Sequence, residues 1–90
     1  MPSLDGHWRV ERESGLLPPS GVGKRIAAGQ GWTTLGGFPV GFFRVEGTTL
    51  VYSGLPVRDE LTPRGDGTWS GRGLVGGQEF CRFRLVRDET

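Results

Sequence analysis

The residues able to do chemistry in this chain are few, and their spacing limits each of them. Gly21, Val22, Gly23 and Lys24 suggest a phosphate cradle, because the amides of a Gly-rich turn bind phosphate oxygens and a Lys can reach them. The spacing fails. Pro18 stands where the first Gly of such a loop belongs, Arg25 replaces the Ser or Thr that would hold magnesium, and no helix follows. A bulge or turn at Gly21 and Gly23 is expected instead. His7 is the only histidine and Cys81 the only cysteine, so neither a zinc ligand set nor an internal disulfide can be assembled. On a strand, His7 faces away from its neighbour Trp8 and into solvent. Cys81 is expected to be a small buried hydrophobe, since Arg82, the cation nearest it in sequence, points the other way.

Carboxylates give no more. Asp59 and Glu60 are adjacent, so on a strand they point to opposite faces and cannot act as a paired acid and base. They suggest that their strand has one solvated side. Glu79 is in step with Cys81 and Phe83; an inward carboxylate would need a cationic partner or a raised pKa, and a position in water at a rim is the expectation. An enzymatic reading would need His7, Cys81 and Glu79 to converge. The expectation is a non-enzyme with no catalytic residue, no metal and no cofactor.

The elements that must position these side chains are strands. Ninety residues with 17 Gly, 6 Pro, three Trp, five Phe and one Tyr combine turn formers with core formers, which fits short strands joined by tight turns better than disorder. Formal charge is +1 with the signs interspersed, so no field for nucleic acid or a membrane surface is built up. Phe80 to Arg87 interleaves rings and cations like a single-strand binding platform, but Glu11, Glu13, Glu46, Glu60, Asp88 and Glu89 offset those cations. No apolar run spans a bilayer, and the first ten residues lack an apolar leader. A cytoplasmic protein without internal disulfides is expected.

Period-two alternation marks strands at His7 to Arg12, Val22 to Ile26, Trp32 to Leu35, Phe42 to Glu46, Thr48 to Ser53, Val57 to Thr62, Thr68 to Val75 and Phe80 to Arg87. Glu46 and Gly47 signal a hairpin tip, and Asp66 and Gly67 a turn. The spacing predicts one all-β domain over 1–90: a small closed antiparallel up-and-down barrel of about eight strands. Trp8, Trp32, Phe43, Tyr52, Trp69 and Phe83 supply enough bulk to fill much of it, so a filled interior competes with an open cavity.

The opening Asp5, Gly6, His7 and Trp8 has a Gly-x-Trp start that resembles the lipocalin and wider calycin barrels, most closely the short calycin-like barrels of bacterial proteins of unknown function. The resemblance implies that Trp8 plugs one end and that an Arg from the last strand, Arg84 or else Arg82, packs across it. It also implies a small apolar or amphipathic ligand. The chain departs from typical lipocalins in its length and in having no disulfide or helix after the barrel, and Gly-x-Trp recurs at Gly67 to Trp69.

Two functions stay open. A cavity would be lined by Phe43, Tyr52, Trp69 and Phe83, with Leu16, Leu17, Pro18 and Pro19 as an apolar lid. A filled barrel would instead use that loop and Phe38, Pro39 and Val40 as an association surface for a homodimer or another partner.

Overall fold

Alternating burial is written into eight runs of sequence, and these become eight strands. The computed structural model describes residues 3–88. Met1, Pro2, Glu89 and Thr90, the ends of the expected domain, lie outside the described residues. The strands are β1 (Gly6–Gly15), β2 (Val22–Ala27), β3 (Gln30–Leu35), β4 (Phe38–Glu46), β5 (Thr49–Tyr52), β6 (Val57–Pro63), β7 (Trp69–Val75) and β8 (Gln78–Arg87). Each pairs antiparallel with its neighbour in sequence, and β8 returns to pair with β1. The result is the closed up-and-down barrel expected from the spacing, and closure removes the free sheet edge that an open meander would present. Among the described residues no helix is long and apolar enough to cross a membrane.

β4 starts at Phe38, four residues earlier than its periodicity suggests, because Pro39 and Gly41 look like loop residues in sequence. The ladder tolerates Pro39 where the pairing slips: Thr33 faces Gly41 but Thr34 faces Pro39, so Val40 is the extra residue of a bulge. Two further slips leave Glu13 of β1 and Phe80 of β8 as extra residues. All three bulges lie in the half of the barrel that carries the Leu16 to Gly21 loop.

The other half is closed and filled. Trp8 is almost completely buried, and its indole Nε1 donates to the Leu4 carbonyl at 2.7 Å. Arg87 is its cross-strand partner, with the guanidinium carbon 4.2 Å from the indole centroid. Arg87 also donates to the carbonyls of Asp5 and Ser3, at 2.9 and 3.2 Å. Gly6 makes room for this: its φ is +136°, and a Cβ there would lie 2.4 Å from Arg87 Nη1. The expected assignment of Arg84 or Arg82 to this stack is therefore corrected. Both side chains project outward, where Arg84 pairs with Glu11 at 2.9 Å and Arg82 with Glu79 at 2.9 Å. Cys81, Phe83, Leu85 and Arg87 share the inner parity of β8, so only Arg87 could reach an inward Trp8.

Leu50, Leu61, Trp69 and Leu85 fill the interior behind Trp8. Gly71 belongs to this packing, since a Cβ on it would stand 2.4 Å from the Phe83 ring and 2.9 Å from Leu61. Trp32, counted with the filling residues in the sequence reading, is instead on the outer face, its ring 6.3 Å from that of Phe42. Its neighbour Thr33 takes the inward position.

Replacing Trp8 by Ala should cost about 3–5 kcal/mol of stability in urea denaturation, the usual range for deleting a buried Trp. Arg87→Ala should lower the unfolding midpoint more than Arg84→Ala does; the reverse order would contradict the closed-end assignment.

Candidate functional site

Lys24 lies on β2 between Val22 and Ile26 at period two, and Asp59 lies on β6 between Val57 and Leu61. Each charge therefore shares its strand's inner face with two apolar neighbours. In a ring of eight strands β2 and β6 stand opposite one another, and the narrow interior lets the two side chains meet. Lys24 Nζ is 2.9 Å from Asp59 Oδ2, with the side chains only 4% and 6% exposed.

Tyr52 of β5 and Thr33 of β3 complete the cluster. Lys24 Nζ donates to Thr33 Oγ1 at 2.7 Å and to the Tyr52 hydroxyl at 2.6 Å. The Tyr52 hydroxyl donates its one proton to Asp59 Oδ2 at 2.9 Å. Thr33 must then be the donor in its 2.5 Å bond to Tyr52. The ammonium thus has two hydroxyl acceptors and one carboxylate counter-ion, and both hydroxyl protons of the cluster are committed. The rings of Tyr52, Phe83 and Phe43 surround the cation, with centroids 5.4, 5.5 and 5.7 Å from Nζ.

Burial works against the charged form of Lys24, but the Asp59 carboxylate and the Tyr52 oxygen outweigh it and hold the lysine above its ordinary 10.5. Tyr52 is also raised above 10.0, chiefly by burial. Both groups bind protons more tightly in the folded chain than in the unfolded one, so their contribution is complete below those ordinary values and is lost as pH climbs past them. Lys24 is thus a fixed cation, not a poised nucleophile.

Above this cluster, toward the loop-bearing end, is a cavity of about 180 Å³. Lys24, Thr33, Tyr52 and Asp59 border it, and its walls include Val10, Val22, Leu17, Leu55, Val57 and Phe83. Two pairs of consecutive residues, Val40 with Gly41 and Phe80 with Cys81, line it together. Strict alternation would send one of each pair outward; the bulges at Val40 and Phe80 turn both toward the space. The Phe80 bulge also changes the parity of Glu79, which lies outside in ion pairs with Arg82 and Arg72.

Of the residues expected to line a cavity, Tyr52 and Phe83 do so. Phe43 is buried against the cluster, its ring 5.4 Å from that of Tyr52. Trp69 is buried at the closed end. Leu17 of the anticipated lid lines the cavity, while Leu16 beside it is 82% exposed. His7 is exposed on the outside near the closed end, whereas Cys81 is buried in the open half, where desolvation raises its thiol pKa. His7, Cys81 and Glu79 are therefore not brought together. Among the described residues no three His, Cys, Asp or Glu side chains form a metal site.

The sequence reading missed Lys24 and Asp59 as partners, and read Asp59 as part of a solvated side. Glu60 supplies that side, paired at 2.7 Å with Arg72. The available signal was a pair of opposite charges, each flanked two residues away on both sides by apolar residues.

Lys24→Met should destabilise the fold by about 3–5 kcal/mol because it strands a buried carboxylate. Adding Asp59→Leu should recover much of that loss; strict additivity of the two substitutions would contradict direct pairing. Stability measured by denaturant titration should fall as pH rises beyond about 10, where the Tyr52 and Lys24 contributions are lost.

No protein-family model, curated protein or solved structure matches the chain.

Proposed function

We propose that the chain is a calycin-like barrel that binds one small apolar or amphipathic molecule in its open half and catalyses no reaction. The observation that carries this reading is the cavity itself: an apolar wall standing on a small polar floor of paired charges and hydrogen-bonded hydroxyls, the usual composition of a small-molecule site. Trp8, Gly6 and Arg87 support the calycin likeness, since they reproduce a first-strand Trp capped by a last-strand Arg. The charge held on Lys24 and the separation of His7, Cys81 and Glu79 leave, among the described residues, no activated nucleophile paired with a base from that set, which favours binding over catalysis. A cytoplasmic location goes with this reading.

Size narrows the ligand. An apolar cavity of about 150 Å³ accommodates benzene, whereas sites for drug-sized molecules run from roughly 300 Å³ upward. A single ring or a short branched chain fits within 180 Å³; a long fatty acid does not.

A second reading has its own observation. Leu16, Leu35, Phe38, Val40, Leu55 and Val75 are all exposed and all lie at the loop-bearing end, forming an apolar margin that suits a second copy of the chain. Native mass spectrometry, combined with NMR titration by toluene, separates the two. Ligand binding predicts a monomer whose toluene-induced shifts concentrate at the cavity walls. A dimer whose cavity signals ignore toluene would reject it in favour of association.

A further inference from the structure

The hydroxyl protons of the polar floor are spent and its ammonium is held against Asp59, and that narrows what a ligand can offer it. Lys24 donates to Thr33 and Tyr52 and is held 2.9 Å from Asp59 Oδ2 in an ion pair; Tyr52 uses its one proton on Asp59, and Thr33 uses its one on Tyr52. Neither hydroxyl has a proton left for a ligand carbonyl, ether or carboxylate, and the ammonium is held by the Asp59 carboxylate. Acceptor capacity does remain. Asp59 Oδ2 faces Lys24 and accepts from Tyr52, and among the described residues no side-chain hydrogen bond reaches Oδ1. Among the described residues no buried side-chain nitrogen or oxygen lacks a partner, so Oδ1 keeps access to open space, and the cavity is the space that Asp59 lines. The result is a carboxylate oxygen with free lone pairs at the base of an otherwise apolar pocket.

Charge restricts the ligand further. The Lys24 and Asp59 charges cancel, so the floor is neutral as a unit. A ligand ammonium would place a second cation beside Lys24 in a poorly solvated site, and a ligand carboxylate would face the like charge of Asp59; both are costly. We propose that the cavity selects a small, neutral, ring-sized molecule that donates one hydrogen bond to Asp59 Oδ1, with a phenol-class hydroxyl as the simplest form. This rests on the ligand-binding reading above and specifies its chemistry.

Discrimination should be large. A site built to pair a ligand O–H rejects the analogue without it more strongly than a hydrophobic wall rejects a missing methyl group. A hydrogen bond to a charged acceptor is worth roughly a factor of ten or more in affinity.

The test uses the intact wild-type chain, isotope-labelled, titrated by NMR with 4-methylphenol, 4-methylanisole, toluene, benzoate and benzylamine. The first pair shares a ring and a methyl group and differs in whether the oxygen carries a proton. 4-Methylphenol should bind at least about tenfold more tightly than 4-methylanisole, with the Asp59 side-chain carboxyl carbon among the signals that move. Equal or tighter binding of the ether would overturn donor selection while leaving the cavity as a ligand site. Tighter binding of benzoate or benzylamine would also overturn it, by showing that charge is the recognised feature. If none of the five moves the cavity signals, the ligand-binding reading fails as well. Leu55→Trp, at the exposed margin, narrows the opening without touching the Lys24 cluster. It should weaken 4-methylphenol binding, and unchanged affinity would place the binding elsewhere and overturn the proposal.

Discussion

A lysine and an aspartate facing each other across the inside of a barrel constrain everything around them. Neither charge could be buried alone, since an unpaired ion in such an interior costs several kcal/mol. They are tolerated because β2 and β6 present them at the same level from opposite walls, 2.9 Å apart, and because Tyr52 and Thr33 accept from Lys24 while Tyr52 donates to Asp59. Four strands, β2, β3, β5 and β6, are tied through one cluster. A one-residue slip of β2 or β6 would turn its charge outward and strand the other inside, so the pair opposes the register errors to which flat, Gly-rich strands are prone.

The cluster also divides the interior. On one side, Trp8, Leu50, Trp69 and Leu85 pack to exclusion, and Arg87 lies over the end. On the other, aliphatic walls stand apart and a cavity is left. The bulges belong to this second half, where they bring Val40 and Phe80 into walls that regular pleating would deny them. A pocket forms because the polar floor cannot be overpacked with apolar groups without breaking its hydrogen bonds, and because the bulged rim bends around the space above it.

Strand number, closure and the alternation that buries Cys81, Phe83 and Leu85 were legible in the sequence because period two and Gly-rich turns are local signals. The same alternation contained the correct partner for Trp8: Arg87 shares the parity of Leu85, whereas Arg84 does not. Trp32 was misplaced because bulk was weighed over the parity it shares with outward Thr-flanking positions. The positions of Glu79, Phe80 and Val40 were not legible, since a bulge changes parity and no short motif announces it. Lys24 and Asp59 are 35 positions apart in sequence, and only closure of the ring brings them together. Their apolar flanks were visible, but nothing local identified one as the partner of the other.

The central claim, a cationic Lys24 locked into a closed hydrogen-bond cluster, can be tested directly because Lys24 is the only lysine of the chain. The decisive measurement is an NMR titration of its side-chain ammonium group. The account predicts ammonium protons protected from exchange with water and a pKa above the ordinary 10.5. Rapidly exchanging protons with a pKa at or below that value would mean that the ion pair is open to solvent or unformed, and the account would be contradicted.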